Sequence, residues 1–233
     1  MATPDAPIKN PCTFTTPKVR AVLDRLYGNA KVIDEPALAV ANPVTDAIDG
    51  DEKYRLRSEM LSEAYLPVPR GVGRLLYILA RNHACETIVE FGTSLAISTI
   101  YLAAAVRDNG RGTVITTELH AEKGRRAGEN LRDAGLLDLV EICVGDARET
   151  LQRIDRPVDF LFIDGWKELY LPVLKIVEPR LWATALVVAD NISLGPTVLK
   201  PFADYVSAAE NGYVSVELPI GDRVSVSLRL TNP

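Results

Sequence analysis

Apolar residues along the chain change their rhythm twice. Between residues 17 and 66, Val19, Val22, Leu23 and Leu26 recur at the i, i+3, i+4, i+7 spacing of one helix face, a stripe that runs out near Gly28. Leu56, Met60, Leu61 and Tyr65 also fall at helical spacing, inside a charged stretch. Asn42-Pro43 and Asp49-Gly50 interrupt the segment, which therefore reads as two or three helices forming a cap, with residues 1–16 as a flexible lead. From residue 69, short β-branched runs take turns with helical stripes. The runs cover 87–91, 113–117, 139–144, 158–163 and 186–189, and helices are expected over 70–82, 95–107, 121–134, 147–153, 168–181 and 197–210. Strands apolar on both faces and separated by helices predict a parallel sheet covered on both sides. At the end Val214, Val216 and Leu218, then Val224, Val226, Leu228 and Leu230, alternate with polar residues about a turn at 219–222, the pattern of an antiparallel hairpin. The expected fold class is α/β: a doubly wound, mostly parallel seven-stranded sheet in one domain, with residues 1–66 as tail and cap and 67–233 as core.

Composition narrows the function classes. The 233 residues are 47% hydrophobic and 24% charged, ordinary globular proportions that exclude a disordered, collagen-like or coiled-coil chain. A net charge of -5 argues against nucleic acid as a partner, since grip on a phosphate backbone comes from clustered Lys and Arg. The most apolar stretch, 95–106, falls short of the roughly 20 residues of a membrane span. The N-terminal residues lack the apolar segment of a signal peptide, so a cytoplasmic protein with no membrane partner is expected. Cys12, Cys85 and Cys143 read as reduced, buried thiols, with Cys143 and Trp182 in the core. Two histidines cannot build the usual zinc sites, so any metal would be held by oxygen.

In a doubly wound sheet the ligand sits beyond the carboxyl ends of the strands. Here the five parallel runs end at or beside Glu90, Glu118, Asp146, Asp164 and Asp190. One such acid is more often a turn former or helix cap; five together point to a site. Gly92 would let a ligand approach the backbone, but the glycines of a pyrophosphate-binding loop are missing from Thr93 to Ile97. Glu118 is placed to accept both hydroxyls of a ribose, and Glu90 to pair with an ammonium group. A ribose without a pyrophosphate suggests S-adenosylmethionine.

The segment Phe162-Ile163-Asp164-Gly165-Trp166-Lys167-Glu168-Leu169-Tyr170-Leu171-Pro172, followed by Val187-Val188-Ala189-Asp190-Asn191, resembles the catechol O-methyltransferase family of metal- and S-adenosylmethionine-dependent enzymes. The resemblance spans about residues 60–230, and the turn Leu218-Pro219-Ile220-Gly221-Asp222 is similar to that of bacterial members. It implies Asp164, Asp190 and Asn191 as Mg²⁺ ligands and Lys167 as the base. Donor contacts are implied at Glu90, Gly92, Ser98, Glu118, Asp146, Ala147, Trp166 and Val68, with 66–68 as a closing segment. The implied reaction is methyl transfer to a small catechol-like aromatic, in the setting of secondary metabolism, and a homodimer stays open. Ala96 stands where the family has a second glycine, Gly165 where the animal enzymes carry a larger residue, and no residue is matched to the acid that holds their acceptor's second hydroxyl. Alternatives are a non-catechol acceptor (a sugar or polyol hydroxyl, or nitrogen), a non-catalytic donor-binding module, and a nicotinamide-dependent oxidoreductase, the last disfavoured by the missing glycines.

Overall fold

The apolar runs form the strands and the stripes form the helices of a computed structural model that describes residues 12–230. In chain order the elements are α1 (Pro17–Thr45), α2 (Gly50–Met60), α3 (Arg70–Asn82), β1 (Thr87–Phe91), α4 (Ile97–Asn109), β2 (Thr113–Glu118), α5 (Ala121–Ala134), β3 (Val140–Val144), α6 (Ala147–Thr150), β4 (Val158–Ile163), α7 (Tyr170–Val177), β5 (Leu181–Ala189), α8 (Pro196–Ser207), β6 (Tyr213–Leu218) and β7 (Val224–Arg229). They build one seven-stranded sheet in the order β3-β2-β1-β4-β5-β7-β6. The first five strands run parallel, and β7 pairs antiparallel with both β5 and β6. The expected doubly wound sheet with a C-terminal hairpin is therefore the observed one.

Strand alternation explains the two cores. Ile88, Phe160, Phe162 and Val188 point to the side covered by α1, α3, α4 and α5, whereas Val89, Phe91, Leu161, Ile163 and Val187 point to the side of α7 and α8. Helix α4 is buried from Ile97 to Val106 because the sheet lies on one flank and α3 on another.

Four expectations need correcting. Helix α1 does not end near Gly28 but continues to Thr45 through Pro36 and Pro43. Glycine costs a helix only about 1 kcal/mol, and the stripe resumes with buried Ala30 and Ala41. Residues 12–16 of the flexible lead are docked: Thr13 donates from its N–H and its hydroxyl to Asp108, which also accepts from Tyr77. The expectation for residues 1–11 lies outside the described residues. Trp182 is 55% exposed, because β5 starts early and the β4–β5 register slips between Val158 and Phe160, turning it outward beside Thr184 at φ 75°. Cys143 is half-buried, on edge strand β3, whose end the four-residue α6 is too short to cover; Cys12 is also half-buried, and only Cys85 is buried. No helix among the described residues is long and apolar enough to cross a membrane.

Candidate active site

The chain leaves β1 towards β2 and β3 and later returns to β4 and β5 on the other side, so the crevice of the sheet opens where β1 and β4 end. Gly92 passes over the end of β4 with φ 106°, and a Cβ there would lie 2.6 Å from the Asp164 carbonyl oxygen. No other residue fits. Asp164 donates its N–H to Phe91 O (2.9 Å) and Asp190 donates its own to Ile163 O (3.1 Å), which brings the ends of β1, β4 and β5 together. Asn191 follows at φ 59°, a left-handed turn that Asn tolerates. Gly165 is needed for a separate reason: its Cβ would sit 2.4 Å from the Phe91 ring, which fills the space a larger residue would take.

At this junction Lys167 Nζ donates to Asn191 Oδ1 (2.7 Å) and Tyr170 Oη (2.7 Å), and lies 3.5 Å from Asp164 Oδ1. Asp190 is fully buried, and neither of its carboxylate oxygens has a partner. Burial, first of all, raises the pKa of both Asp164 and Asp190; the Lys167 charge opposes it, Asp190 pushes Asp164 further up, and Asp222, on the β6–β7 turn, does the same to Asp190. A buried carboxylate without a partner calls for a cation. Two carboxylates and an amide oxygen are the hard donors that suit Mg²⁺, so these residues fit such an ion. No cluster of three His, Cys, Asp or Glu occurs among the described residues, in keeping with an amide as the third donor.

The donor-side residues line the neighbouring strand ends. Glu118 accepts from Ser94 N (2.8 Å) and His120 N (2.9 Å), so its carboxylate shapes the loop after β1 while keeping lone pairs free. Glu90 is fully buried; Oε2 accepts from Thr99 (2.5 Å) and Thr116 (2.6 Å), and Oε1 has no partner. Burial pushes its pKa up to about 7, against the hydroxyls of Ser98, Thr116 and Thr99. Ser98 lies buried in the first turn of α4. Asp146 caps α6, where Ala147 is the first residue, and its pairing with Arg148 holds its carboxyl below the ordinary range. Ser94 (φ 47°) and Ala96 (φ 70°) both take left-handed backbone, each at a cost of about 1–3 kcal/mol. Ala96 thus adopts the conformation for which a glycine is the usual choice.

A clamp holds the closing segment over this loop. Asp34 of α1 accepts from the N–H groups of Tyr65 (2.7 Å) and Leu66 (2.9 Å), with Leu66 at φ 46°. Tyr27 donates to Val68 O (2.9 Å), and Ser94 Oγ to Tyr65 O (2.6 Å). Helix α2 reaches over the strand ends: Asp51 pairs with Arg148 of α6 and Lys53 with Glu168, and Glu59 lies 3.3 Å from His120 Nε2. Trp166 packs both on the cap, with Leu38, Ala41 and Leu61, and on the α7–α8 core, while the Arg57 guanidinium lies 5.6 Å from its ring centre.

All three expected metal ligands and Lys167 therefore meet, and the expected donor residues lie at or just after the ends of β1–β4, except Val68, which is in the closing segment before α3. Tyr170, Asp222 and Asp34 were given no role from sequence. Tyr170 carries a readable signal, standing three residues after Lys167; Asp34 carries none, because its partners are backbone groups 31 and 32 residues away. A groove of about 580 Å³ lined by Tyr77, Arg81, Asn109 and Arg111 lies at the opposite end of the sheet, where Arg81 is bonded to Asn109 and Arg111 to Glu86.

Comparison with known proteins agrees with this geometry. Residues 89–192 match the model of a methyltransferase domain family. A catechol O-methyltransferase of Mycobacterium tuberculosis is 30% identical over 213 residues, which are 90% of this chain and 88% of that one. Among solved structures, the O-methyltransferase TomG from Streptomyces achromogenes, involved in tomaymycin synthesis and in complex with SAM, superposes with a TM-score of 0.66 at 25% identity, covering 71% of this chain and 82% of that one. An O-methyltransferase from Bacillus cereus in complex with SAH gives a TM-score of 0.62 at 26% identity, over 84% and 99% of the two chains.

Proposed function

Because the chain belongs to the catechol O-methyltransferase-like family of S-adenosylmethionine-dependent O-methyltransferases, we propose that its acceptor is a small aromatic with adjacent hydroxyls and that Mg²⁺ or a similar divalent cation assists the transfer. One observation carries the metal: the two partnerless, buried oxygens of Asp190 beside Asp164, Asn191 and Lys167. Asp164, Asp190 and Asn191 would hold the ion. When bound, it favours the deprotonated form of a hydroxyl it touches, one whose free pKa is about 10.

The chain's own groups do the rest. Lys167 Nζ takes the proton of the reacting hydroxyl. That oxygen then attacks the methyl carbon in line; the new C–O bond forms as the C–S bond breaks, and the sulfonium leaves as a neutral thioether. Glu118 receives the ribose hydroxyls, Gly92 and Ser98 border the methionine end, and Glu90 supplies negative charge beneath it. Asp146 and Ala147 edge the nucleoside, and Trp166 and Val68 wall the pocket. Most of the acceleration comes from holding oxygen and methyl in near-attack geometry, which the clamped segment 61–68 favours by excluding water.

Methyl transfer from labelled S-adenosylmethionine to a 3,4-dihydroxy aromatic, with Mg²⁺ and then with EDTA, tests this reading. Transfer abolished by EDTA is expected. Transfer that survives EDTA refutes the metal's part, and donor binding without transfer to any vicinal diol refutes the acceptor class.

A further inference from the structure

Tyr170 touches the proposed base as closely as any residue does, and the direction of its hydrogen bonds fixes what it offers. Its hydroxyl proton is committed to the backbone oxygen of Asp190 at 3.0 Å. What faces Lys167 Nζ at 2.7 Å is therefore a lone pair, and Lys167 must donate. The ring has no exposed surface and packs edge-on against Phe202 at 5.7 Å and 86°, so the phenol cannot follow the lysine if the lysine moves.

Lys167 Nζ has two other neighbours, Asn191 Oδ1 at 2.7 Å and Asp164 Oδ1 at 3.5 Å. An amine ready to accept a proton has two N–H bonds and one lone pair. With Tyr170 and Asn191 taking the two protons, the lone pair is left along the third direction, that of the long contact to Asp164 at the crevice. Asn191 Oδ1, however, is also an oxygen suited to the cation, and an ion there would draw it away from Lys167. Tyr170 is then the hold that remains.

We infer that Tyr170 is a positioning residue: its phenol oxygen anchors Lys167 Nζ at the crevice and holds it there once Asn191 Oδ1 turns to the cation. The inference rests on the metal-assisted reading above. Without the anchor, Lys167 would have only Asn191 and Asp164 as partners and would compete with the ion for both, and the base would lose its aim.

The test is Mg²⁺ calorimetry on the full chain with the acceptor absent, for wild type, Y170F, K167M and the double variant. Y170F is expected to weaken Mg²⁺ binding about 5–10-fold, and to change it less than twofold once K167M is present, because the effect passes through the lysine. Turnover of Y170F should fall about 10-fold or more in kcat with the donor KM within twofold. An unchanged Mg²⁺ affinity in Y170F, or an equal loss in both backgrounds, overturns the inference; the latter would mean that Tyr170 acts through the Asp190 carbonyl. Wild type that binds no divalent cation would instead refute the metal reading. A second measurement decides in that case, or if Y170F does not fold: side-chain ¹⁵N spectra of lysine-labelled wild type, with the Lys167 signal assigned by its loss in K167R. Slow solvent exchange of the Nζ protons in the metal-free protein is expected, and fast exchange overturns the inference.

Discussion

Replacing Asp190 by Asn should make the metal-free protein more stable while removing its response to Mg²⁺. In wild type, Asp190 is wholly buried, both of its oxygens lack partners, and Asp164 lies beside it with raised proton affinity. An ionised group in that position costs folding the desolvation that no hydrogen bond repays, about 1–3 kcal/mol for an unsatisfied polar atom and more for a charge. The amide removes the charge and can donate to Asp164, so D190N should gain about 2 kcal/mol. For a chain of this size each kcal/mol moves the melting temperature by about 2–4 °C, giving a rise of about 4–8 °C in EDTA. Mg²⁺ at a hundred times its Kd stabilises wild type by about 2.7 kcal/mol, a similar shift. Wild type with Mg²⁺ and D190N without it should therefore melt within a few degrees of each other, and adding Mg²⁺ to D190N should change little. Thermal melts of both proteins in EDTA and in excess Mg²⁺ check this, alongside turnover, which D190N should lose. The reasoning is refuted if D190N melts at or below wild type in EDTA, or if Mg²⁺ raises both equally.

Three further outcomes follow from other parts of the molecule. Burial raises the Glu90 pKa to about 7 from an ordinary carboxylate value, so its contribution to stability is fully present below about pH 4 and lost as pH rises through 7. Urea melts from pH 4 to 8 should show that decline in wild type and a flatter profile in E90Q, and equal slopes would contradict it. D34A removes the acceptor for the Tyr65 and Leu66 N–H groups and should loosen the closing segment, raising donor KM about 10-fold with faster hydrogen exchange at residues 64–68. G165A places a methyl against the Phe91 ring and should cost about 1–3 kcal/mol in urea unfolding, partly restored by F91L; a neutral G165A would show that the ring can move aside.

How far the sequence could be read depended on whether a feature is local. The sheet strands were visible because apolar β-branched runs and helical stripes alternate; burial on both faces keeps the runs of β1 and β4 continuous, and β6 and β7 show the alternation of a hairpin. Asp164 and the pair Asp190-Asn191 were visible because each follows directly on an apolar run, and Lys167 through the resemblance of segment 162–172 to the family. Gly28 misled because a glycine in a helix is a small cost that packing of the surrounding stripe overrides. Trp182 misled because a bulge reverses the direction of a side chain, and nothing in Leu181 to Ala185 announces one. The clamp of Asp34 on Tyr65 and Leu66 was hidden for a third reason: it joins a side chain to backbone groups, which leave no mark in residue identity.

The strained residues show what the cap contributes. Leu66, Ser94, Ala96 and Asn191 all take left-handed backbone without being glycine, and all four lie on the rim of the crevice. Strain of that kind persists only where neighbours enforce it. Leu66 is held by Asp34, Ser94 by Glu118 and by the carbonyl of Tyr65, and Asn191 by the bond from Lys167. Two of these holds tie the closing segment to α1 and to the donor loop, so displacing that segment would release the loop as well. The contacts of α2 with His120, Arg148 and Glu168 lie at the surface, and its two ion pairs, to Arg148 and Glu168, are each worth at most about 1 kcal/mol and screened by salt. Segment 61–68 is therefore gripped by short hydrogen bonds, while α2 is tied to α1 by Arg57, which donates to Asn42 (2.6 Å) and Thr45 (2.8 Å), and to the strand ends by these weak surface contacts. Opening should begin at α2, letting donor and acceptor enter without undoing the loop geometry that positions them.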